Sequence, residues 1–85
     1  MLNDEEIIAK IKKIVSDVLN VKTENLTFET HYQNDLGVDS VEMITLLVGF
    51  ETECKCTISE NEFRKLKTIG DTFHYIKTNI LRDEL

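Results

Sequence analysis

The stretch Asp35-Leu36-Gly37-Val38-Asp39-Ser40-Val41-Glu42 carries the chain out of a loop and into a helix. Gly37 permits a sharp turn that residues with a Cβ resist. Asp39 then stands three residues before Glu42, which is the spacing of a capping box. In that arrangement the N-cap side chain accepts a backbone N–H of the first turn, and the acid reaches back to the N–H of the cap. The pattern predicts a helix from Ser40 to Glu53. Asn3 with Glu6, Ser59 with Glu62 and Thr68 with Asp71 repeat the same spacing, each ahead of an apolar stretch. One such pair is weak evidence. Four of them predict four helices, and no segment alternates with the period of two that a strand requires. The fold class read from the chain is all-α: a four-helix bundle with a long first loop and a short third helix.

The apolar spacing agrees with these starts. Between Asp4 and Leu19, the residues Ile7, Ile8, Ile11, Ile14, Val15, Val18 and Leu19 form one stripe, with Lys10, Lys12, Lys13 and Asp17 on the outer face. Asn20 follows, a residue that tolerates the left-handed conformation ending many helices. A short helix of two turns is expected between Ser59 and Lys67, with Phe63 and Leu66 inward. The last helix starts near Ile69 and should bury Ile69, Phe73, Ile76 and Ile80. The connection from Asn20 to Val38 is long for a compact domain, a length that usually marks function or disorder. Its Leu26, Phe28, Tyr32 and Leu36 predict that it packs onto the bundle.

The chain has 85 residues and a formal charge of −6, too few residues for a second domain beside the first. No apolar run approaches the length of a membrane span. The acidic start, Met1-Leu2-Asn3-Asp4-Glu5-Glu6, is unlike a secretory signal, so the expected location is cytoplasmic. The acidity argues against nucleic-acid binding, which needs clustered bases, and the length argues against an enzyme with a deep pocket. From Thr23 to Cys54 there is no Lys or Arg, while Glu24, Glu29, Asp35, Asp39, Glu42, Glu51 and Glu53 supply seven negative charges. The rest of the chain carries nine acids and ten bases and is close to neutral. This acidic segment suits either solubility or the docking of basic partners, and composition does not choose between them.

The second helix has two apolar sides. At about 100° per residue, Met43, Leu46, Leu47, Phe50 and Cys54 share a core stripe. Val41, Thr45, Val48 and Thr52 lie opposite, with Glu42 and Glu53 on a flank. Val41 and Val48 are therefore expected at the surface, as a small docking face. Gly49 lies mid-helix, where glycine costs up to about 1 kcal/mol relative to Ala, and close approach of a neighbouring helix would account for it. Ser40 opens this helix, where the dipole and the free N–H groups favour negative charge. A phosphate ester there is well placed.

The segment from Asp35 to Glu42 closely resembles the Asp-Leu-Gly-x-Asp-Ser signature of acyl carrier proteins. The resemblance extends to Val21-Lys22-Thr23-Glu24-Asn25-Leu26 at the start of the first loop. It continues in Thr57-Ile58-Ser59-Glu60-Asn61-Glu62 before the third helix, and in Thr68-Ile69-Gly70-Asp71 with Tyr75-Ile76 in the fourth. It covers essentially the whole chain, and residues 1–85 are read as one carrier domain. The resemblance implies that Ser40 carries covalent 4′-phosphopantetheine donated by coenzyme A, with Asp39 beside the phosphate. It implies that Val41, Glu42, Val48, Glu51 and Glu53 meet basic patches on partners. It also implies that Ile44, Leu46, Leu47, Phe50, Ile58 and Phe63 line a cleft that shelters the acyl chain. The implied role is a discrete, non-catalytic, monomeric carrier of acyl thioesters in fatty acid biosynthesis. Its implied partners are a phosphopantetheinyl transferase and acyl-processing enzymes. Thr45 and Thr52 stand where acids are frequent in the family, and Cys54 where a large apolar residue is usual. These departures keep a specialised polyketide or modified-lipid pathway open, and an unmodified helical interaction module is the further alternative.

Other chemistry finds less support. Ser40 lacks the Gly-x-Ser-x-Gly elbow of a hydrolase nucleophile. His31 and His74 have no evident acid partner and read as ordinary surface or loop residues. Cys54 and Cys56 form Cys-x-Cys without the second pair a zinc site needs, and read as one core thiol and one more exposed. Asp35, Asp39 and Glu42 do not fit a calcium loop, so no metal is expected.

Overall fold

A computed structural model describes residues 3–80, with the side chains of residues 3–79. Helix α1 spans Asp4–Leu19, α2 Ser40–Cys54, α3 Glu60–Phe63 and α4 Ile69–Tyr75, and a 3-10 turn lies at Thr23–Asn25. Among the described residues there is no strand, only one isolated antiparallel bridge between His31 and Thr68. The all-α expectation holds.

The local chemistry decides where the helices begin. Asn3, Asp39 and Thr68 each accept a backbone N–H from the third helical residue, and Glu6, Glu42 and Asp71 return the bond to the cap. The third box forms only by half. Ser59 accepts the Glu62 N–H at 3.4 Å, but the Glu62 carboxylate instead accepts the Tyr75 hydroxyl at 2.7 Å, tying α3 to α4. Helix α3 is one turn rather than two, and the chain continues towards Leu66 in turns, with Leu66 half-buried. Asn20 does end α1 in the left-handed region (φ 57°, ψ 47°), where its N–H reaches the Ser16 carbonyl. Lys55 ends α2 the same way without a residue type that announces it. Helix α4 stops earlier than its apolar period suggests, and Ile76–Ile80 continue as a π-helical turn. Ile69, Phe73 and Ile76 are buried as expected; the side chain of Ile80 lies outside the described residues.

Helix α1 packs on both α2 and α4, and α3 packs on α2. Ile7, Ile11, Ile14 and Val15 meet Leu46, Leu47 and Phe50 in the centre. Full burial of such side chains contributes about 1.5–3 kcal/mol each. Gly49 is where α1 comes closest: a Cβ there would lie 3.0 Å from Ile14 Cγ2. The long loop is part of the core. Leu26 and Tyr32 are buried, Phe28 and Leu36 half-buried, and the Tyr32 hydroxyl meets that of Thr72 in α4 at 2.5 Å. Phe28 also lies over Gly70, whose hypothetical Cβ would stand 2.6 Å from the ring, and Gly70 N–H donates to the Phe28 carbonyl at 2.8 Å.

Candidate functional site at the mouth of α2

The loop that delivers Ser40 is knotted by hydrogen bonds. His31 N–H donates to Asp35 Oδ2 at 2.7 Å, and Asp35 N–H donates to the His31 carbonyl at 2.9 Å. The His31 ring points its Nδ1 at the N–H groups of Gln33 and Asn34, at 3.2 and 3.0 Å. His31 thus has an acidic neighbour and a structural task that its sequence context hides. Gly37 sits at φ +65°, with nothing within 4 Å of a hypothetical Cβ. Backbone conformation alone, not crowding, selects glycine there. Val38 is buried and donates to the Tyr32 carbonyl at 3.0 Å, which fixes the entry into α2.

Asp39 caps the helix, accepting Glu42 N–H at 2.8 Å, while Glu42 Oε1 accepts Asp39 N–H at 3.2 Å. Ser40 follows, exposed, and among the described residues its hydroxyl has no hydrogen-bond partner. A hydroxyl presented on a capped, rigid helix start, clear of the core, is open to modification by another protein.

Beyond Ser40, α2 exposes a ridge. Val41 is 70% exposed, Val48 54% and Ile44 42%. Val41 and Val48 lie where helical angles place them; Ile44 joins them on the surface as well as reaching the cleft. Thr45 and Thr52 are uncharged and donate their hydroxyls back to the carbonyls of Val41 and Val48, at 3.1 and 2.8 Å, so their donors are already engaged. The acids differ among themselves. Glu53 is exposed, whereas Glu51 is half-buried and its Oε2 accepts the Ile58 N–H at 2.8 Å. Glu51, expected on the docking face, secures the α2–α3 connection.

A cavity of about 200 Å³ opens beside Ser40. Its apolar wall includes Val38, Met43, Ile44, Leu47, Phe63 and Leu66. Of the six residues expected in an acyl cleft, Ile44, Leu47 and Phe63 line it. Leu46, Phe50 and Ile58 instead lie in the buried core, with the Phe50 and Phe63 rings 5.7 Å apart behind the cavity. Arg64 and Lys67 line it too, as do Asp39 and Glu60. Those two bases come from a segment with no motif to flag them, because only the fold brings them to Ser40. The cavity accommodates a group about the size of benzene or slightly larger, since a 150 Å³ apolar cavity holds one. An exposed hydroxyl, a cavity beside it with apolar walls and charged groups of both signs, and a helix start beneath it fit a phosphodiester-linked arm that carries apolar groups.

Elsewhere, Cys54 and Cys56 are both half-buried free thiols packed against the core, where one core thiol and one more exposed were expected. Burial pushes the Cys54 thiol up to about 11, with the neighbouring Cys56 adding to the effect. His74 packs edge-on against Phe28 and Phe73. No cluster of potential metal ligands occurs among the described residues, and none of their helices is long and apolar enough to cross a membrane.

Residues 9–76 match the family described as phosphopantetheine attachment site. An acyl carrier protein of Lactobacillus acidophilus is 35% identical over 78 residues, covering 92% of this chain and 98% of that protein. One from Porphyromonas gingivalis is 36% identical over 75 residues, 88% and 96% of the two chains. One from Thermotoga maritima is 34% identical over 80 residues, 94% and 99%.

Proposed function

Because this chain belongs to the phosphopantetheine-bearing acyl carrier protein family, we propose that Ser40 is the residue that carries its 4′-phosphopantetheine and that residues 1–85 act as one carrier domain. The chain is a non-catalytic carrier. When bound, the group supplies a flexible arm whose terminal thiol holds acyl groups as thioesters. The observation that carries the assignment of Ser40 is its exposed hydroxyl, without a hydrogen-bond partner among the described residues, on a helix start that Asp39 and Glu42 cap. The protein's own task is positioning. Asp39 fixes the first turn through Glu42 N–H, and Gly37 and the His31–Asp35 knot fix the approach. A phosphopantetheinyl transferase then meets a preformed site rather than a mobile loop.

The ridge of Val41, Ile44 and Val48, flanked by Glu42 and Glu53, serves as the docking face for the transferase and for acyl-processing enzymes with basic patches. Ile44, Leu47 and Phe63 form the part of the cleft nearest the arm. Fatty acid synthesis is the proposed pathway, and the cytoplasm the proposed compartment. Incubation with coenzyme A and a phosphopantetheinyl transferase, followed by intact mass, tests the assignment. A gain of one phosphopantetheine that disappears in Ser40→Ala is expected. No gain, or a gain that survives the substitution, overturns it.

A further inference from the structure

The phosphate of an arm on Ser40 is esterified directly to a side chain that lines the cavity, so it lies at the cavity rim. Its own helix offers the positive end of its dipole and free N–H groups but no cationic side chain. Asp39 and Glu42 flank the position, and no base occurs between Thr23 and Cys54. A compensating cation has to come from another element, and the cavity supplies two candidates, Arg64 and Lys67. Arg64 is committed: its Nη2 lies 2.6 Å from Glu60 Oε2. Among the described residues Lys67 makes no ion pair. Its backbone is fixed at both ends of the residue, with the N–H donating to Asp71 Oδ2 at 2.9 Å and the carbonyl accepting Tyr32 N–H at 2.9 Å. A lysine whose backbone is anchored to the cap of α4 and to the first loop carries its flexible, charged side chain on a fixed base beside the cavity.

We propose that Lys67 pairs with the phosphodiester on Ser40 and draws the first part of the arm across the cavity, against Met43, Phe63 and Leu66, instead of leaving it in solvent. The proposal rests on Ser40 as the attachment site. The pairing is an exposed one, of the strength typical of surface ion pairs, so it biases the arm about two- to fivefold rather than locking it. Such a bias keeps the thiol end available while sheltering the apolar groups next to the phosphate.

The test uses the whole chain carrying an isotope-labelled arm with a free thiol, as wild type, K67M, K67R and K65M. Lys65 is exposed on the same segment but does not line the cavity, so it controls for net charge. Intact mass first establishes that each protein is loaded on Ser40. The phosphorus resonance and the nuclear Overhauser contacts from the arm's methyl groups to Met43, Phe63 and Leu66 are then read. Contacts about two- to fivefold weaker in K67M, near wild type in K67R and K65M, are expected. Molar salt, with a screening length of about 3 Å, should bring the wild type to the K67M value. Undiminished contacts in K67M, or an equal loss in K65M, overturn the proposal. So does a K67M effect that appears only when the thiol carries a carboxylated acyl group, since Lys67 then reads the cargo and not the phosphate. Absence of the mass gain in the wild type overturns the attachment site itself, a separate outcome.

Discussion

Glu51 and Glu53 stand two residues apart on one acidic helix, yet they should respond very differently to substitution. Glu51 Oε2 accepts the Ile58 N–H at 2.8 Å, and Ile58 is 4% exposed. Glu51→Ala removes a charged acceptor and leaves a partly buried N–H without its partner. Hydrogen bonds to charged groups contribute about 1.5–3 kcal/mol, and an orphaned buried donor costs a similar amount. Because Glu51 is itself half-buried, water recovers part of this, and a loss of about 1–2 kcal/mol is expected. For a domain of this size that corresponds to a melting temperature lower by about 5–15 °C. Glu53→Ala removes an exposed carboxylate and should stay within about 0.5 kcal/mol. Urea unfolding followed by far-UV circular dichroism measures both, and amide hydrogen exchange at Ile58 reports the local effect. Glu51→Gln keeps an acceptor and should lose about half as much. The reasoning fails if Glu51→Ala and Glu53→Ala unfold at the same urea concentration, or if Ile58 exchange is unchanged in Glu51→Ala.

Gly70→Ala forces a Cβ against the Phe28 ring and carbonyl, at 2.6 and 3.0 Å; overpacking of about 1–3 kcal/mol should outweigh a helix-propensity gain of about 1 kcal/mol, and calorimetry should show a lower melting temperature. With burial holding Cys54 near 11, about one thousandth of it is thiolate at pH 8. Iodoacetamide should therefore label the arm's thiol at least about tenfold faster than Cys54, as peptide mass mapping would show; comparable rates contradict the raised pKa of the half-buried thiol. Burial pushes the Tyr32 phenol well above its usual range, and burial with the Glu62 carboxylate pushes Tyr75 up to about 12. Both groups hold their protons in the folded state after the unfolded chain has lost them. Stability should be intact below about pH 10 and fall as pH rises beyond it. Ultraviolet titration should show phenolate absorbance rising together with the loss of the helical signal, and full tyrosine ionisation in a folded chain would contradict this.

The helix starts were legible because they rest on contacts three residues apart. Asn3 with Glu6, Asp39 with Glu42 and Thr68 with Asp71 meet whatever else the chain does. The burial of Leu26 and Tyr32 was legible too, since apolar residues in a long loop need cover. The exposure of Ser40 at a capped helix start was legible from its place beside Asp39 and Glu42. The third helix was overestimated in length, and its capping box formed only by half because Glu62 had a competing partner thirteen positions away in Tyr75, which no local spacing announces. The lining of the cavity beside Ser40 was only half read. Leu46 and Phe50 share the helix with Ile44 and Leu47, and their separation into core and lining depends on where α3 sits.

Sequence by itself determined the all-α class, the capped start that holds Ser40, the left-handed stop at Asn20 and the acidity of the central segment, because each follows from neighbours within a helical turn or from charge counting. Tertiary structure alone decided that Glu51 supports a loop, that Gly70 yields to Phe28, and that Arg64 and Lys67 line the same cavity as Ser40. Those relations join residues seven to more than forty positions apart. Chain spacing carries no information about such pairs until the core has closed and fixed which surfaces meet.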